Sequence, residues 1–219
     1  MKRIKPLGIT VIILFFLLVL NSCFGINMDI ALNQNGSGTL SLEYKISKSL
    51  DSLGKLDGNE RWNTIPVGKA DFERTLSRLP GMKLLSFSSK EDNRDLIINA
   101  KMEFSNIQVL LAFLDASGKN SSFRGEPSSG SMGFVLSDGA TAMDQGLSKL
   151  IEELSRNYSI KISMNFPSEG KLSVLDNSGK ILAPIEGSII NAKGKTVSCF
   201  FPLYAVLSYP SGLNIEFSW

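Results

Sequence analysis

Residues 26–47 read INMDIALNQNGSGTLSLEYKIS, and their alternation decides the fold class. Ile26, Met28, Ile30 and Leu32 fall on one side, with Asn27, Asp29 and Asn33 opposite. Beyond the turn-like NQNGSG, Leu40, Leu42, Tyr44 and Ile46 alternate with Ser41, Glu43, Lys45 and Ser47. Successive side chains leave a strand on opposite faces, so a period of two marks a half-buried strand. Two such runs across a Gly/Asn turn predict a hairpin. One apolar and one wet face is the pattern of antiparallel sheets.

The same signal recurs along the chain. MKLLSFSSKEDNR (82–94) gives a strand and an Asp-Asn turn. In DLIINAKMEF (95–104), Leu96, Ile98, Ala100, Met102 and Phe104 oppose Asn99, Lys101 and Glu103, completing a second hairpin. SIKISMNF (159–166) alternates about Ile160, Ile162, Met164 and Phe166, and LNIEFSW (213–219) about Ile215, Phe217 and Trp219. Helices interleave. Phe72, Leu76 and Leu79 recur at helical spacing in KADFERTLSRL, which Pro80-Gly81 ends. Met143, Leu147, Leu150, Ile151 and Leu154 mark another, with Ser137 or Asp138 as caps. NIQVLLAFLD (106–115) is apolar on more than one face, as expected of a buried helix or, alternatively, of the wall of an apolar cavity. Ala116 to Ser131 has no periodicity and is rich in Ser and Gly, so a long loop is predicted there, with Phe123 an isolated apolar side chain. The sum is an α+β fold: a twisted antiparallel sheet built from hairpins, with two or three helices packed on one face.

The chain opens MKRIKPLGITVIILFFLLVLNSC. Lys2, Arg3 and Lys5 precede an almost wholly apolar run from Leu7 to Leu20, and Cys23 follows directly after Ser22. A charged start, a short apolar core and a small residue before a cut site describe an export signal. The run is shorter than the ~20 apolar residues a spanning helix needs. Leu20-Asn21-Ser22-Cys23 resembles the lipobox of bacterial lipoproteins. That resemblance implies cleavage of residues 1–22 and a diacylglyceryl group, with palmitate-type chains, on the Cys23 thiol. Two acyl chains anchor stably where one does not. The expected organisation is a signal peptide over 1–22 and a single lipoprotein domain over 23–219. Ile26 lies three residues beyond Cys23, a reach of at most ~10–11 Å, so the domain is expected to sit directly against its membrane.

Composition narrows the function. Removing 1–22 takes three of the 23 basic residues and none of the 21 acidic ones, which turns the net charge of +2 slightly negative. No basic tract remains for nucleic acid. With Cys23 acylated, Cys199 is the remaining cysteine of the two, so no internal disulfide forms. Its setting, TVSCFFPL, predicts a small buried hydrophobe. The chain has no histidine, which removes the usual general base, the Ser-His-Asp arrangement and the commonest metal ligand. Ser52–Lys55 and Ser168–Lys171 match Ser-x-x-Lys, but both stretches read as polar loops rather than helix starts. Ala192–Thr196 resembles the end of a phosphate loop, yet Ile189 stands where the first glycine belongs. Asp176–Lys180 lacks the ligand pattern of a calcium loop.

The tail carries a family resemblance. IKISMNFPSEGKLSVLDNSGKI, then GKTVSCFFPLYAVLSYPSGLNIEFSW, resembles the LppM-like lipoprotein domain: an alternating strand ending in Phe-Pro, a Gly-containing segment, a strand opening on Gly-x-Thr-Val, and a last strand ending in Trp. The opening hairpin with its Gly-Ser-Gly turn is similar too. The resemblance implies an α+β envelope domain on a lipid anchor and brings no catalytic residues. The expectation is therefore a non-enzymatic lipoprotein of the bacterial cell envelope, with Cys23 as its lipid attachment and neither cofactor nor metal. Its domain would bind a lipid or other amphiphile at the membrane, or serve as an adaptor for another envelope protein.

Overall fold

The computed structural model describes residues 24–48, 66–139, 149, 152, 153 and 155–219. The opening hairpin forms as its alternation requires. β1 (Phe24–Leu32) pairs antiparallel with β2 (Gly38–Ser47), placing Ile26 opposite Tyr44, Met28 opposite Leu42 and Ile30 opposite Leu40. The turn closes through Asn33 N–H to Ser37 O at 2.8 Å, and Gly36 takes the positive φ (81°) it needs. At Gly38 any Cβ would collide with the Ala31 carbonyl and the Phe104 ring, so only glycine lets the strand leave the turn here.

β3 (Met82–Glu91) and β4 (Asp95–Phe104) form the second hairpin, and β4 adds to β2. Asp92 shapes that turn by accepting from the backbone N–H groups of Arg94 and Asp95, both at 2.7 Å. On the other side of β1 lies β7 (Ser159–Asn165), followed by β10 (Thr196–Pro202) and the edge strand β9 (Ile189–Lys193). The seven-stranded order is β3-β4-β2-β1-β7-β10-β9. β1 and β7 run parallel, the one such pairing among the described strands of this sheet.

A second, four-stranded antiparallel sheet, β5-β6-β11-β8, faces the first: β5 (Ser121–Glu126), β6 (Ser129–Ser137), β8 (Lys171–Leu175) and β11 (Leu213–Ser218). The inner faces of both sheets join one core, with Ile30, Leu40, Ile98, Met102 and Met164 from the first and Met132, Val174, Ile215 and Phe217 from the second. Among the described residues, three helices share that core. α1 (Lys69–Leu76) buries Phe72 and Leu76 and sets the Phe72 ring 5.5 Å from Phe87. α2 (Ile107–Leu114) is capped by Asn106, whose side chain accepts from Val109 N–H at 3.0 Å, and buries Ile107 and Leu110. α3 (Leu203–Ser208) contributes Val206. The α+β class is as expected, and the second sheet is an addition to it. No described helix is long and apolar enough to cross a membrane.

The predicted loop over 116–131 is largely a hairpin instead. β5 and β6 pair from Ser121–Phe134 to Glu126–Ser129. Phe123 is not isolated: it stacks on Trp219 (centroids 6.0 Å apart), which stacks on Phe166 (4.7 Å). Trp219 Nε1–H donates to Pro127 O at 3.0 Å. Gly130 is required because a Cβ there would lie 2.7 Å from Arg124 O and 2.9 Å from the Phe123 ring. The helix expected about Met143–Leu154 lies mostly outside the described residues, although Lys149, Glu152, Glu153 and Ser155 are helical. Its proposed cap Ser137 is the last residue of β6.

Candidate functional site

Three rungs cross the inner face of the large sheet through β2, β1 and β7. The first is Tyr44–Ile26–Ile160, the second Leu42–Met28–Ile162, the third Leu40–Ile30–Met164. The third is sealed, with Leu40 0 % and Ile30 2 % exposed. In the first two, Ile26, Met28, Leu42 and Ile160 stay half-buried although they belong to the same apolar face. The reason is a gap between the sheets. Phe134 and Leu136 of β6 and Phe113 and Leu114 at the end of α2 stand over these rungs without filling the space. The result is a cleft of about 490 Å³ with apolar walls, within the size range of small-molecule sites.

The cleft occupies one end of the sandwich. The Phe123–Trp219–Phe166 stack fills the other, where β7 and β11 finish. Phe72 and Tyr44 also line the cleft. Tyr44 is 1 % exposed, and burial, reinforced by the charge of Asp71, holds its phenol above the ordinary tyrosine range. The two readings of 106–115 both hold for different residues of α2: Ile107 and Leu110 are core, whereas Phe113 and Leu114 line the cleft.

One part of the rim is polar. Asp115, Asn120 and Ser121 line the cleft where α2 passes into β5. Asp115 Oδ1 accepts from Ser117 N–H and Oγ–H, and Oδ2 accepts from Asn120 N–H at 2.6 Å and Ser121 Oγ–H at 3.3 Å. These bonds, led by that from the Ser117 hydroxyl, hold its carboxyl below the usual carboxylate range. Asp115 is the one charged side chain among the described lining residues.

A shallower concavity of about 280 Å³ lies on the wet face of the same sheet, between Asn27, Asp29, Glu43, Ser88 and Lys101. It is the outward surface that the alternation predicts.

The remaining sequence motifs fall elsewhere. Ser168 sits in a bend and Lys171 begins β8 with its side chain exposed, so this pair is not on a helix. Ser52 and Lys55 lie outside the described residues, as does Cys23, directly before β1. Ala192–Thr196 spans the tight turn from β9 to β10, with Gly194 at φ 58°. Asp176 closes its own turn by accepting from Ser178 and Lys180 N–H. Cys199, opposite Ile162, is 1 % exposed, and burial pushes its thiol up to about 12. Among the described residues no group of Cys, Asp and Glu could hold a metal ion.

Sequence reading places Ile26, Met28, Leu42 and Tyr44 on the apolar faces of their strands and does not single out Phe134 or Leu136. Periodicity says which face a side chain takes, not whether the facing layer fills the space above it. The apolar excess of 107–114 was the available signal. No protein-family model matches the chain, and no curated protein does so either.

Proposed function

We propose that the protein is a lipid-anchored lipoprotein of the bacterial cell envelope whose domain holds a lipid or other amphiphile in the cleft between its sheets. The observation that carries this reading is the incompletely covered apolar surface of Ile26, Met28, Leu42 and Ile160 in the first two rungs. A fully packed domain would seal such a surface as it seals the third. An acyl chain would cover it, gaining ~0.8 kcal/mol per buried methylene. The proposed address agrees with the site: β1, whose first inward residue Ile26 lines the cleft, begins directly after Cys23, the residue proposed to carry the anchor. The reading is non-enzymatic. The likeness to LppM-like domains points the same way.

Native mass spectrometry of the chain from residue 24 onward, purified from cells, tests the proposal. This part contains every core residue of both sheets. A co-purified adduct of lipid mass is expected, and Met28→Trp, which fills the middle of the cleft, is expected to abolish it. An adduct that survives Met28→Trp, or a protein that never carries one, counts against the reading. The adaptor alternative draws on a different surface. On the edge strand β9, Ile189 and Ile190 are 56 % and 41 % exposed. Ile189→Lys would impair an adaptor and leave a lipid adduct intact.

A further inference from the structure

Among the described residues that line it, the cleft has an apolar interior and a single charge, and that charge is negative. Its volume of about 490 Å³ lies toward the lower end of small-molecule sites, which suits one acyl chain rather than two. We propose that the cleft selects single-chain amphiphiles with a neutral or cationic head and rejects anionic ones, and that Asp115 sets this preference. The inference rests on the amphiphile reading above and names its ligand class.

The geometry leaves the head little choice of position. Next to the two rungs that line the cleft, the rung of Leu40, Ile30 and Met164 is buried, and Phe72 belongs to the apolar lining. The polar side chains at the rim are Asp115, Asn120 and Ser121, of which Asn120 is exposed and the other two half-buried. A head resting there meets the Asp115 carboxylate. The donors that usually recognise carboxylate or phosphate heads, lysine and arginine, are absent from the described lining residues. Lys119 belongs to the same turn but is exposed and does not line the cleft. The hydrogen bonds from Ser117, Asn120 and Ser121 favour the ionised form of Asp115, so it is charged at neutral pH. They also fix the carboxylate in place, while the Asn120 side chain and the lone pairs of the Ser121 hydroxyl remain to hydrogen-bond a hydroxylated head.

Laurate, monolaurin and dodecyltrimethylammonium share one chain and differ in head charge. They would be titrated calorimetrically, below their aggregation concentrations and at neutral pH, into the chain from residue 24 onward. Slow thiol labelling of Cys199 would certify that each variant is folded. Monolaurin and dodecyltrimethylammonium are expected to bind, with laurate about tenfold weaker, the scale of one like charge near a wet surface. Asp115→Asn is expected to bring laurate to the affinity of monolaurin. Asn120→Lys leaves the backbone bond to Asp115 in place and is expected to make laurate the preferred probe. Equal binding of laurate and monolaurin by the unaltered protein overturns the selection and leaves the amphiphile reading standing. Continued rejection of laurate by Asp115→Asn overturns the role of Asp115. Binding of none of the three overturns both.

Discussion

Cys199 shows how far a single residue can be read. Its apolar neighbours in TVSCFFPL predict a buried thiol, and it lies in β10 facing the core at 1 % exposure. Native protein is therefore expected to react with a thiol reagent only as fast as it unfolds, and rapid labelling would contradict the strand placement. Burial also gives the thiol a pH signature. Above the unfolded value of ~8.5 the unfolded chain loses its proton while the folded chain keeps it, so stability falls with rising pH until about 12. Urea titrations across alkaline pH should show a shallower loss for Cys199→Ala than for the unaltered chain. Other residues were legible only in part. The Gly-Ser-Gly turn marks a hairpin, but nothing in the sequence says that Gly38 faces the Ala31 carbonyl and the Phe104 ring. Gly38→Ala should cost about 1–3 kcal/mol, the range of an overpacked core site, read as a lower urea midpoint at unchanged slope.

At the scale of elements, legibility followed the apolar content of the strands. β1, β2, β4, β7 and β11 alternate cleanly and lie where alternation puts them. The β5–β6 hairpin escaped because its apolar residues are few and its remaining positions are Ser, Gly, Arg and Glu, which read as a loop. What makes it a hairpin is distant in sequence: Phe123 stacks on Trp219, and Gly130 exchanges two backbone bonds with Trp219, both at 3.0 Å. A local window cannot contain such a partner. The second sheet therefore depends on Trp219 more than its position suggests. Trp219→Ala should destabilise the domain by about 3–5 kcal/mol, the usual range for truncating a buried large aromatic, with equilibrium urea unfolding followed by circular dichroism as the measurement. A loss below 1 kcal/mol would mean that the stack is dispensable and β5–β6 is held by other contacts.

For the whole molecule, the decisive relation is between the cleft and the proposed anchor. The cleft lies at the end of the sandwich where β1 begins, and the aromatic stack closes the opposite end. β1 starts at Phe24, paired with Ile46, so no slack separates Cys23 from the folded sheet. If Cys23 is acylated, the first inward residue, Ile26, stands within ~10–11 Å of the membrane-held sulfur, and the cleft sits over the headgroups. An amphiphile could then pass between bilayer and cleft with little exposure of its chain to water, which costs ~0.8 kcal/mol per methylene. A flexible Gly/Ser tract of about 20 residues placed directly after Cys23 would relax this reach to roughly 25 Å while leaving the β1–β2 register untouched. Such an insertion is expected to keep lipid incorporation at Cys23 and slow labelling of Cys199, yet to slow transfer of a fluorescent monoacylglycerol from vesicles carrying the protein. The same insertion should not alter affinity for monolaurin in the chain freed from the membrane, because the cleft itself is unchanged. Transfer at the original rate despite the insertion would mean that apposition is irrelevant, and would shift weight to the exposed isoleucines of β9 as the working surface.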